Sequence, residues 1–112
     1  MDSVRQNKIA RLLQKELASY FLAESRNILP GKMVTVTVVR VTPDMSLAKV
    51  YLSIFPNKPG EDVIGIVTEH SKSIRNVLGQ NIRHQVRVIP ELAFYIDDSM
   101  DYVERIEKLL KK

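Results

Sequence analysis

The residues best suited to chemistry in this chain are cations. Between Glu69 and Glu91 there is no acidic residue, and the interval holds Lys72, Arg75, Arg83 and Arg87 with both histidines, His70 and His84. Its densest part is RHQVR, residues 83–87. Ammonium and guanidinium groups gathered without a neutralising carboxylate suit an anionic partner, and nucleic acid is the commonest such partner. A plain solvated face is the other reading. Lys8, Arg11 and Lys15 form a second basic stripe near the N-terminus and carry the same two readings.

Catalysis finds little support. There is no G-x-S-x-G elbow, no phosphate-cradling glycine loop and no H-E-x-x-H, and the glycines are scattered at 31, 60, 65 and 79. Asp97 and Asp98 sit where a strand gives way to a helix, which explains them as cap and dipole partners rather than an acid–base pair. Without cysteine the chain offers no disulfide, thiolate ligand or thiol nucleophile. His70 and His84 lack a carboxylate between them to complete a ligand set, so neither a metal nor a cofactor is expected. Tyr20, Phe21, Phe55 and Phe94 read as core, leaving Tyr51 and Tyr95 as the aromatics open to exposure. Recognition would then rest on phosphates and RNA shape more than on base stacking.

These groups must be positioned by secondary structure. Ser3 followed by Gln6 is a capping box, and Ile9, Leu12, Leu13, Leu17, Tyr20 and Phe21 then fall on one side of a helix with Lys8, Arg11 and Lys15 opposite. Pro30 and Gly31 end it. Val34, Val36 and Val38 alternate with Thr35 and Thr37 as in a half-buried strand. After the turn TPDMS, a second strand directs Ala48, Val50, Leu52 and Ile54 inward and Lys49, Tyr51 and Ser53 outward, so the two strands form an antiparallel hairpin. One sheet face stays polar and helices cover the other.

Val63, Ile64, Ile66 and Val67 begin a further helix, and Ile74, Val77 and Leu78 continue the apolar pattern beyond HSKS. The serines compete for backbone groups, which predicts a kink between His70 and Ile74. Gly79 loosens the far end. Leu92, Phe94 and Ile96 mark a third strand opened by Pro90, and residues 97–112 read as a closing helix, acidic at its start and lysine-rich at its end. The order is α-β-β-α-kink-α-β-α, with the kinked pair and the last strand's edge forming one cationic groove.

A chain of 112 residues suits one compact domain. Its composition, 45% hydrophobic and 27% charged, is that of a globular protein. The opening residues intersperse charge throughout and do not resemble a signal peptide. No apolar stretch approaches the roughly 20 residues that span a bilayer. A soluble, cytoplasmic protein is expected, with no membrane and no small-molecule substrate. The excess of 17 Lys and Arg over 13 Asp and Glu leaves a net charge of +4, modest enough that its distribution matters more than its size.

KIARLLQKELASYF, VTVTVVRVTPDMSLAKVYLSIF, SIRNVLGQNIRHQVRVIPELAFYIDDS and RIEKLL together resemble the ribosome-binding factor A family of bacterial small-subunit assembly factors. AKVY after TPD, and PEL with F and DDS downstream, are the most specific parts. The resemblance implies an α+β, KH-like fold of the second type: a single RNA-binding domain over residues 1–112, its three-stranded mixed sheet covered on one face by helices that include a kinked pair. The family's alanine-x-glycine kink would fall at Ser71, Lys72 and Ser73, where this sequence reads SKS. The extended C-terminal tail of some relatives would be absent. Also implied are binding to the immature small ribosomal subunit and its rRNA, help with late rRNA maturation and processing, and support of growth in the cold. On this reading Lys72, Arg75, Arg83, His84 and Arg87 are the primary RNA contacts and Lys8, Arg11 and Lys15 a secondary set. The protein would be non-enzymatic and monomeric when free. The alternative is an interaction module that docks an acidic protein without RNA.

Overall fold

A computed structural model describes residues 3–56 and 60–97. The expected closing helix lies outside them except for Asp97. In chain order the elements are α1 (Val4–Ile28), β1 (Met33–Val41), β2 (Leu47–Phe55), α2 (Val63–Glu69), α3 (Ser71–Ile82) and β3 (Glu91–Ile96). The strands form one sheet in the order β1-β2-β3. The hairpin pairs β1 with β2 antiparallel. β3 runs parallel to β2, because the intervening chain returns through α2 and α3 across one face of the sheet. The architecture is α+β and KH-like.

Burial follows the sequence pattern closely. Leu13, Leu17 and Phe21 of α1 and Ile74, Leu78 and Ile82 of α3 are buried against Val50, Leu52 and Phe94 of the sheet in one core. The three described helices therefore cover the same face. Phe21 anchors the contact, its ring meeting Phe94 edge to face at 6.4 Å and 85°. Among the described residues no helix is long and apolar enough to cross a membrane.

The capping box forms as the sequence predicts: the Ser3 hydroxyl accepts from the Gln6 N–H at 3.1 Å and the Gln6 side chain accepts from the Ser3 N–H at 2.8 Å. Gln6 does more than cap. It is buried, and its Nε2 donates to the Val41 carbonyl at 2.8 Å, tying the start of α1 to the end of β1.

β1 departs from strict alternation. Val36 pairs with Leu52 and Val38 with Tyr51, so Thr37 is an extra residue in a β-bulge. The bulge resets the phase: Val38, expected to face the core, is 36% exposed, while Val39 and Val41 are buried. The Thr37 carbonyl accepts from Gln14 Nε2 at 3.2 Å, and its hydroxyl donates to Asp97 Oδ2 at 2.6 Å. Asp97 thus braces the far end of the sheet. Phe55, expected in the core, is 62% exposed, because it follows inward-facing Ile54 at a strand end. Ile66 is also partly exposed, on the outer side of α2.

The helix pair breaks where the apolar pattern does, at a single residue. His70, with φ −95° and ψ 6°, separates α2 from α3. Its N–H reaches back to the Val67 carbonyl at 3.0 Å, closing a tighter turn, and its carbonyl accepts from the Ile74 N–H at 2.9 Å to start the next helix. Ser71 and Ser73 consequently lie in the first turn of α3, just after the break rather than at its pivot.

Candidate nucleic-acid interface

The helix α3 has two chemically distinct sides. Ile74, Leu78 and Ile82, spaced by four, are buried. Lys72, Arg75, Asn76, Gln80 and Arg83 line an open groove whose other wall includes Ile89 from the segment leading into β3. Their spacing of three and four places them on one helical face. From Lys72 to Arg83 the row extends about 16 Å at the rise of an α-helix. Among the described residues no carboxylate lines this groove, in keeping with the lack of acids between Glu69 and Glu91. Gly79 lies in the groove floor, where the lack of a side chain keeps the space between the cations open.

Arg75 has a structural share in this arrangement. Its Nη2 donates to the Ile89 carbonyl at 2.7 Å and its Nε to the Pro90 carbonyl at 3.1 Å. The guanidinium holds the entry to β3 against α3 while keeping its charge at the groove. Lys72 and Arg83 make no hydrogen bond or ion pair with other described side chains. Of the three cations in this groove, they are the two free to meet a ligand.

The five residues expected to act together are divided. Lys72, Arg75 and Arg83 share the α3 groove, whereas Arg87 lines a second groove with Arg5 and Lys8 from the start of α1. His84 is exposed and lines neither groove, and the same holds for Arg11 and Lys15 further along α1. The division arises because the chain turns after Ile82: the Gln85 and Val86 N–H groups both bond the Ile82 carbonyl, at 2.8 and 3.1 Å, and the chain then passes toward α1. Arg5, not among the cations singled out in the sequence, continues the Lys8, Arg11 and Lys15 stripe three residues before Lys8. Only the juxtaposition of Val86 and Arg87 with α1 shows its place.

The second groove also contains an acid. Asp44 lies in the β1–β2 turn, where the Thr42 hydroxyl and then the Ser46 hydroxyl and N–H hold its carboxyl below the usual carboxylate range. Its negative charge opposes phosphate binding there. The α3 groove has no such opposition. Elsewhere, burial and then the charge of Glu24 push the Tyr20 phenol up. Among the described residues no three His, Asp or Glu side chains gather where they could hold a metal ion.

Comparison with known proteins agrees with this architecture. The family described as ribosome-binding factor A matches residues 5–110. A protein named ribosome-binding factor A from Cytophaga hutchinsonii is 46% identical over 112 residues, covering 100% of this chain and 84% of the relative. The crystal structure of ribosome-binding factor A from Thermus thermophilus superposes with a TM-score of 0.67 at 22% identity, covering 81% of this chain and 94% of that one. A Thermus thermophilus homology model fitted into a map of a 30S complex gives a TM-score of 0.60 at 20% identity, covering 88% of this chain and 97% of that one. With nearly its whole length matched and its helix pair and mixed sheet in the same arrangement, the chain belongs to the ribosome-binding factor A family.

Proposed function

We propose that this protein is an assembly factor for the small ribosomal subunit, and that it binds rRNA phosphates along α3 as a single RNA-binding domain and a monomer when free. The observation that carries the reading is the row of Lys72, Arg75 and Arg83 on one face of α3, in a groove that no described carboxylate lines. Membership of the family, and the 30S complex described for the Thermus thermophilus protein, supply the partner. Binding to the immature subunit would assist late rRNA folding and processing in the cytoplasm. The need would be greatest in the cold, where misfolded RNA escapes slowly. The chemistry required is electrostatic, and no reaction is assigned to the protein.

Neutralising phosphates releases counterions, so the logarithm of the binding constant falls linearly with the logarithm of salt concentration. Lys72→Ala with Arg83→Ala should weaken binding to purified small subunits and flatten that slope by roughly one unit per lost contact. Arg75 is left intact because its removal would also loosen β3. Equal affinity and slope in a folded double variant would overturn the α3 assignment. Removal of the protein from cells should leave small subunits with unprocessed rRNA ends at low temperature, and normal ends would count against the assembly role.

A further inference from the structure

The sheet face opposite the described helices carries a second, differently built surface. Register across the strands sets Val38, Tyr51 and Tyr95 in one outward row and Arg40, Lys49 and Ala93 in the next. The Tyr51 and Tyr95 rings stack with centroids 5.4 Å apart and planes 27° from parallel. Tyr95, on the edge strand, is 42% exposed. Arg40 and Lys49 are exposed and sit directly opposite each other. Like charges so placed destabilise an antiparallel pair, and neither makes a hydrogen bond or ion pair among the described residues. Both rows make sense if the face receives something with a flat ring and a negative charge.

We propose that this face is a second RNA-binding site, in which a base of a single-stranded segment stacks on the tyrosine pair and its phosphates meet Arg40 and Lys49. Residues two apart on a strand stand about 7 Å from each other, so one nucleotide reaches from the Tyr51 row to the Lys49 row. Ala93 leaves space beside the two cations. Among the described residues the acids nearest this region are Glu91, one row beyond the cations, and Asp97, whose carboxylate accepts from Thr37 beyond the tyrosines. Acids thus lie beyond both rows, and the cations stand on one side of the tyrosine pair, which would orient the strand with its phosphates over Arg40 and Lys49. The inference rests on the RNA reading above only for which RNA fills the site.

The test uses the full chain and a six-nucleotide single-stranded RNA containing one 2-aminopurine, whose emission is quenched on stacking. Quenching should occur with the unaltered protein and with Tyr95→Phe, and the affinity should fall about tenfold with Tyr95→Ala, in the range for loss of one base stack. Arg40→Ala with Lys49→Ala should reduce the salt slope by about 1.4, two contacts at about 0.7 each for a single strand. Quenching should persist in the Lys72→Ala, Arg83→Ala protein, which separates this site from the α3 groove. The proposal is overturned if quenching is absent, if it disappears in that α3 variant, or if Tyr95→Ala binds as tightly as the unaltered protein. Should Tyr95→Ala fail to fold, Tyr95→Leu keeps apolar volume without a ring face, and undiminished binding by that variant overturns the proposal equally.

Discussion

Gln6 is a polar side chain with two structural tasks. One amide group completes the cap of α1 through its oxygen and, in a buried setting, satisfies the Val41 carbonyl through its nitrogen. Gln6→Ala leaves the Val41 carbonyl without that donor, a loss of about 1–3 kcal/mol for a buried unsatisfied group. Urea denaturation should show the loss as a lower midpoint at an unchanged slope. A variant as stable as the parent would mean that water replaces the amide. At the same scale, Thr37 turns an irregularity into a connection: the bulge leaves it without a strand partner, and Gln14 and Asp97 take up its polar groups.

At the scale of elements, α3 is both a core helix and the proposed RNA-binding surface, and Gly79 lies between the two roles. A Cβ at Gly79 would meet Ile89 Cγ1 at 3.8 Å, an ordinary contact. Gly79→Ala should therefore stabilise the protein by about 1 kcal/mol, the difference in helix propensity. Gly65 is the informative contrast. A Cβ there would overlap the Asp62 carboxylate, which caps α2 by accepting from the Gly65 N–H at 3.0 Å. Displacing the cap costs about 1 kcal/mol and cancels the gain in propensity, so Gly65→Ala should leave the stability about unchanged. Thermal melts of the two variants distinguish the cases. Equal shifts at both positions would mean that Asp62 finds another way to cap the helix.

At the scale of the whole molecule, the charge that looked like one zone forms two grooves with unequal prospects. No described carboxylate lines the α3 groove, and the groove shared by Arg5, Lys8 and Arg87 includes Asp44, held in its charged form by Thr42 and Ser46. Removing Lys72 and Arg83 should therefore reduce affinity for small subunits more than removing Lys8 and Arg87, although each pair deletes two charges. Binding measured at several salt concentrations decides between them. A larger loss from the Lys8 and Arg87 pair would move the principal contact to the start of α1.

Much of the fold was legible because it depends on local regularities. The capping box, the period-four stripe of α1, the alternation in β2 and the break at His70 are set by neighbours within a few residues, and the structure reproduces each. The family resemblance also rested on such local strings. Thr37 has no local signal marking it as a bulge, so the displacement of Val38 from the core appears only when β1 is paired with β2. The candidate site shows the same limit. A cation's type and the acid-free interval that holds it follow from the sequence, which is why Lys72, Arg75, Arg83, His84 and Arg87 were grouped together. Whether Arg87 shares the α3 groove depends on the path after Ile82, and whether Tyr51 meets Tyr95 depends on parallel register between strands some forty residues apart. Those pairings come from long-range packing: spacing along a chain fixes the face a side chain occupies, while its neighbours across space are chosen only when the buried faces of all the elements close on one another.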